Sequence, residues 1–204
     1  MAPMIENAPR AAGPGEAPRS LLVADAAIAV LAAQGSRGLT HRAVDQAAGI
    51  PEGSTSNLYR TRDALLDAVL ERHVERELEL IDRLRRRRNP AATPRQAAGL
   101  LAGLVREFTC GAGAELSIAR YELFLEGRRR PAFQPALAAV RGHFTGLMAE
   151  ILAGAGLGGD RGRAAAMLSV VDGFTAAGLF HGQAAPDQAG LASLLEAEMV
   201  ALNR

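Results

Sequence analysis

Residues Leu39–Leu66 read LTHRAVDQAAGIPEGSTSNLYRTRDALL. Thr40 is suited to cap a helix, because its hydroxyl accepts from an orphan N–H in the next turn. The spacing predicts a helix over 41–48, with Ala43, Val44, Ala47 and Ala48 on a narrow inner face. Gly49 stands at its end, where a left-handed backbone costs glycine little. Ile50 plugs the gap to the next element, and Pro51 can open a helix but not continue one. A second helix is predicted over 52–59. It turns Ser54, Thr55, Ser56 and Asn57 outward and Leu58 and Tyr59 back toward the core. Thr61 caps a third helix, opened by Arg62 and Asp63 and buried along Ala64, Leu65, Ala68 and Val69. This is helix-turn-helix spacing. An ordinary αα-hairpin shares the pattern, but short donors and acceptors in the second helix suit base edges and phosphates in a major groove.

The run Thr40-x-x-x-Val44 … Ala48-Gly49-Ile50-Pro51-x-Gly53 … Tyr59-x-x-Arg62-Asp63-Ala64-Leu65 resembles the N-terminal domain of the tetracycline-repressor (TetR) family. The resemblance implies an all-α protein. An N-terminal three-helix helix-turn-helix domain would bind DNA, and a C-terminal helical domain would dimerise and bind a ligand. The chain departs from the family pattern at several positions. Asp45 stands for the usual alanine, Pro51 for a serine cap, and Ser56 for a tyrosine that touches phosphate. Tyr59 replaces phenylalanine and Arg62 replaces lysine. The chemistry of the side chains nominates Arg42, Thr55 and Asn57 as base contacts, since arginine reads guanine and asparagine adenine through paired bonds. Thr40, His41, Ser54, Tyr59 and Arg62, at helix starts or flanks, are the expected phosphate anchors. Ser56 completes the reading segment, and His41 could equally face solvent.

At 204 residues the chain allows one or two small domains, and 49% of its residues are hydrophobic, ample for a core. Every basic residue is arginine. The formal net charge is +1, so DNA affinity must come from placement of charge and not from its sum. Cys110 is the only cysteine, which excludes an internal disulfide or a cysteine zinc site and fits a reduced cytoplasm. No basic head followed by an apolar core marks a signal peptide, and no uncharged apolar run is long enough to span a bilayer. A membrane partner is therefore not expected.

Residues 1–17, rich in Pro, Ala and Gly, read as a disordered arm in which Arg10 could brush DNA. The DNA-binding domain is expected over 18–75 and the ligand-binding and dimerisation domain over 76–204. The first helix is predicted over 19–34, with Gly35 and Gly38 bracketing its exit, and the helix from Arg62 reaches about Arg86. Asp67, Glu71, Arg72, Glu75, Arg76, Glu77 and Glu79 give that helix a mostly solvated charged face. Arg85–Arg88 reads as cations complementing a helix C-terminus, in preference to a nucleic-acid patch. Asn89-Pro90 ends the helix. Further helices are predicted near 94–109, 114–128, 133–154, 160–182 and 187–202, separated by turn chemistry that includes Ala184–Pro186.

All six phenylalanines lie beyond residue 100. Phe108, Tyr121, Phe124, Phe144, Met148 and Phe174 are the expected apolar walls of a ligand pocket, with Arg120, His143 or Asp172 fixing ligand orientation. A plain helical core would use the same residue types. No nucleophile elbow or H-E-x-x-H occurs, and the four histidines share no ligand spacing, so no catalytic residue, metal or cofactor is expected. Gly154–Gly159 lacks the strand and Lys-Ser/Thr of a phosphate loop and reads as a turn. The last two helices carry more apolar surface than one layer can hide, and the resemblance implies a four-helix homodimer interface there. The reading is a ligand-responsive repressor that binds a palindromic duplex operator as a homodimer and is released by a small-molecule effector. Its rival is a helical ligand-binding protein of the same fold without DNA function.

Overall fold

A computed structural model describes residues 18–87, 93–181 and 187–202, apart from the side chains of Arg85 and Arg87. The arm at 1–17 with Arg10, the end of the arginine run at Arg88, the Asn89-Pro90 stop and the Ala184–Pro186 turn lie outside the described residues. The described residues form nine α-helices and one 3-10 turn, with no strand among them.

The helices are α1 (Arg19–Gly38), α2 (His41–Ala48), α3 (Ser54–Leu58), α4 (Arg62–Arg87) and α5 (Pro94–Thr109), then α6 (Gly111–Arg129), α7 (Gln134–Gly154), α8 (Arg161–Phe180) and α9 (Gln188–Leu202). Local chemistry sets many of these ends. Thr40 and Thr93 accept from Ala43 and Gln96 at the starts of α2 and α5, and Gly49 ends α2 in the left-handed region at φ 63°. The first helix runs past its predicted end, because a further turn follows a break at Gly35, φ 67°.

Packing brings α1 against α2, α4 and α6, while α5 lies on α9, α6 and α8, and α7 on α8 and α4. Val23, Ala27, Ile28 and Leu31 of α1 are buried with Leu65, Leu66 and Val69 of α4. Arg72 of α4 grips Asp25 of α1 through two bonds, Nε to Oδ1 at 2.9 Å and a terminal nitrogen to Oδ2 at 3.2 Å. The helix α4 crosses the expected boundary at 75/76 without a break, so the head and the body of the molecule share it. Two helices, α1 and α8, match a membrane span in length and mean apolarity. Both carry charges paired to other helices, Asp25 with Arg72 and Asp172 with Arg141.

Candidate nucleic-acid interface and effector cavity

The reading segment is built around a carboxylate. The helix α3 is only five residues long, and no side chain of its N-cap, Gly53, caps it. Asp45 of α2 reaches across instead. Its two oxygens accept from the backbone amides of Gly53 at 2.7 Å and Thr55 at 2.8 Å. Burial would raise the Asp45 pKa, but the bonds from Thr55 and Gly53, helped by His41, hold it below the ordinary carboxylate value. His41 has its own internal task, since Nε2 donates to the Tyr59 carbonyl at 2.6 Å and ties the start of α2 to the end of α3.

The nominated DNA contacts separate by exposure. Thr40, Arg42, Asn57 and Arg62 are exposed, while His41, Ser54, Ser56 and Tyr59 are half-buried. Arg42 sits loosely 3.9 Å from Glu52. Ser54 accepts from Arg19 at 3.1 Å, and the Ser56 hydroxyl donates to the Gly53 carbonyl. Burial raises the Tyr59 pKa, as does the charge on Glu71. Thr55 corrects the expectation of a base contact. It is fully buried, with its amide on Asp45, and cannot present its hydroxyl to a groove. Leu58, expected in the core, is instead 43% exposed. With an upstream turn at Glu52-Gly53 and a start at Ser54, α3 is rotated relative to the predicted helix. Arg62 is engaged by α1: its guanidinium donates to the Ser36 carbonyl and hydroxyl.

In the body, a narrow cleft of about 20 Å³ opens between α4, α6, α7 and α8. Its walls include Arg120, Phe124, Phe144 and Asp172 from the nominated set, together with His73, Glu77 and Arg141. Phe108 and Met148 line a small apolar cavity of about 20 Å³ that shares Phe144 and Leu168 with the cleft. Tyr121, His143 and Phe174 line neither. His143 is exposed on α7, and Phe174 packs half-buried against the core. Tyr121 donates to the Asp172 carbonyl at 3.3 Å and stacks edge-on against Phe124 and Phe180. Burial, then the Asp172 charge, raises its pKa.

Charge in the cleft is concentrated in one buried cluster. Glu77, 2% exposed, lies with Oε1 3.0 Å from Nε of Arg120 and 3.4 Å from Nε2 of His73. Burial would raise the Glu77 pKa, but the Arg120 charge and His73 hold it below the ordinary range. The Arg120 guanidinium also stands over the rings of Phe108 and Phe144, 5.4 and 5.5 Å from their centroids. At the cleft's other wall, Arg141 pairs with the Asp172 carboxylate at 2.8 Å. Glu77 corrects the reading of a solvated charged face on α4. His73 and Glu77 were legible in one respect: they fall on the stripe Leu66, Leu70, His73, Glu77, Leu80 and Leu84, spaced by three and four residues.

The profile of the family described as "Tetracyclin repressor-like, C-terminal domain" matches residues 92–200. No curated protein sequence matches the chain significantly. Among solved structures, a TetR-family member from Streptomyces coelicolor A3 is 27% identical, with a TM-score of 0.67 over 91% of this chain and 98% of that one. The multidrug binding protein EbrR complexed with proflavin is 27% identical, with a TM-score of 0.61 over 89% of this chain and 99% of that one. A transcriptional regulator from Rhodococcus sp. RHA1, 19% identical, shares the fold at a TM-score of 0.69 over 91% and 96% of the two chains.

Proposed function

The chain belongs to the tetracycline-repressor-like family of transcriptional regulators, and from that premise we propose that it is a ligand-responsive repressor. It binds a palindromic duplex operator as a homodimer and is released by a ring-bearing organic effector. The observation that carries the reading is the unbroken helix α4, which holds Arg62 at the head and His73 and Glu77 in the cleft. A ligand in the cleft therefore presses on the element that carries the head. The head is residues 18–75 and the body 76–204, and the protein works in the cytoplasm. Arg42 and Asn57 read bases, while Thr40, Ser54 and Tyr59 stand at the duplex backbone.

The effector reading draws on the EbrR structures, complexed with proflavin, ethidium and malachite green at 27% identity. All three are ring-bearing cations. The cleft as it stands has room for about one water, so a ring-bearing effector enters by displacing the Arg120 and Phe124 side chains from its walls. Dimerisation uses α8 and α9, where Phe180, Leu194 and Val200 are 52%, 48% and 39% exposed. Apolar side chains of this size, grouped on terminal helices, call for a symmetric cover.

The test is fluorescence anisotropy with the duplex upstream of the chain's own gene, with and without malachite green, alongside a scrambled duplex. Selective, salt-dependent binding that the dye weakens supports the reading. Equal affinity for both duplexes favours the rival ligand-binding protein without DNA function.

A further inference from the structure

We propose that Ser36 is the joint through which the cleft positions the reading head, clasped by Glu122 and Glu126 of α6 and by Arg62 of α4. This rests on the functional reading above and assigns the contacts that would transmit it. The chain breaks at Gly35, whose φ of 67° favours glycine. After the break the Ser36 amide donates to Glu122 Oε2 at 3.2 Å, and its hydroxyl donates to Glu126 Oε1 at 2.5 Å. Arg62 closes the clasp from the other side, donating to the Ser36 carbonyl at 2.6 Å and to its hydroxyl at 2.7 Å. Arg129 donates to the same oxygen of Glu126 at 3.2 Å. Glu126 is 6% exposed, so its bond from the Ser36 hydroxyl is partly shielded from competing water.

The position of the clasp gives it a role. Four residues beyond Ser36, Thr40 caps the first helix of the reading segment. On α6, Arg120 and Phe124 face the cleft, whereas Glu122 and Glu126 hold Ser36. Two residues along an α-helix turn it by about 200°, so cleft and clasp occupy opposite faces of one helix. That helix is a bar wedged between the ligand site and the head. A ligand that displaces Arg120 or Phe124 moves Glu122 and Glu126 with them, because the helix shifts as a rigid element. Ser36, Glu122, Glu126 and Arg62 are positioning residues: they act on DNA only through the placement of α2 and α3.

The test uses the full-length chain, with amide hydrogen exchange followed over residues 39–48 in the wild type, S36A and S36T. S36A removes the hydroxyl, and S36T restores it. The expected result is exchange over 39–48 faster by about fivefold or more in S36A, wild-type rates in S36T, and unchanged rates in α5 and α9. Wild-type exchange over 39–48 in dye-free S36A overturns the clasp. Malachite green is then titrated by absorbance. By reciprocity S36A should bind it tighter than wild type, by about the factor by which the dye speeds exchange over 39–48 in wild type, and the dye's effect on that exchange should disappear in S36A. A dye effect that persists in full in S36A overturns the proposal. If the dye does not bind wild type, the effector reading fails separately and the dye-free comparison decides the clasp in either direction.

Discussion

Replacing Asp45 tests whether the reading helix is capped from outside itself. Its carboxylate makes bonds of 2.7 and 2.8 Å to the amides of Gly53 and Thr55, and Gly53 offers α3 no side-chain cap. A five-residue helix has almost no intrinsic stability, because the cost of nucleation is not recovered over so few bonds. Loss of an N-cap acceptor typically costs about 0.5–2 kcal/mol, and a hydrogen bond to a charged group contributes about 1.5–3 kcal/mol. Two such bonds would give more, but the site lies just beneath the surface and water can enter to solvate the freed amides. D45A should therefore cost about 2–3 kcal/mol in urea unfolding and weaken operator binding as α3 loses its placement. D45N retains one oxygen acceptor and should lose roughly half as much.

Acidity supplies a second axis for the same residue. The Asp45 pKa is lowered in the fold from 3.8. Its contribution is thus present above the unfolded value and is lost as pH falls through the folded one. The stability gap between wild type and D45N should close on acidification below about pH 4 and stay constant near neutrality. A D45A protein that keeps wild-type stability and operator affinity would refute the capping argument.

Other substitutions separate readers, walls and interface. R42A and N57A should each cost about 1–3 kcal/mol of operator affinity and relax preference at one base pair, whereas T55V should leave base preference intact, which competition binding against single-base operator variants will decide. F124A, at a side chain 36% exposed in the cleft wall, should weaken malachite green binding about tenfold or less without lowering the melting temperature appreciably; unchanged dye affinity removes Phe124 from the wall. L194D, at a position 48% exposed, should give a folded monomer by sedimentation, while L195D, at a fully buried position of the same helix, should unfold the chain. A wild type that sediments as a monomer at micromolar concentration counts against the interface.

What could be read in the sequence was what short-range chemistry fixes. The ends of α2 and α5 follow from Thr40, Gly49 and Thr93, whose capping groups act within four residues. The phase of α3 was not legible, because five residues contain too little periodicity to orient a helix. Its rotation buries Thr55 and exposes Leu58. Asp45 stood out as a departure from the family's alanine, but its partners lie eight and ten residues away across a turn, beyond any local pattern. Pro51 replaces the family's serine cap, and Asp45 supplies the missing acceptor, so two departures that look unrelated in sequence compensate each other in space. In the body, residue types predicted an aromatic wall, yet which polar groups entered it depended on helix packing. His143 faces solvent, while Glu77, one of many acids on α4, is the one whose register turns it inward.

The buried cluster also constrains what kind of effector the cleft tolerates. Glu77 is short and held by the backbone of α4, and at 2% exposed it cannot reach water. Arg120 has a long flexible stem and a side chain 12% exposed, so its charge can move outward along that stem. An anionic ligand would compete with Glu77 for Arg120 and leave the buried carboxylate with His73 alone beside it, and breaking a buried ion pair in this way costs about 3–5 kcal/mol. A cationic ligand competes with Arg120 instead. It can take over the Glu77 carboxylate and the ring faces of Phe108 and Phe144, which already hold a guanidinium, while Arg120 escapes toward solvent. The exchange is asymmetric and favours a flat cation. It also pulls the Arg120 side chain off the rings of Phe108 on α5 and Phe144 on α7, a contact that seats α6, so the ligand binds two arrangements of that helix with different free energies. Only such a difference can shift a population.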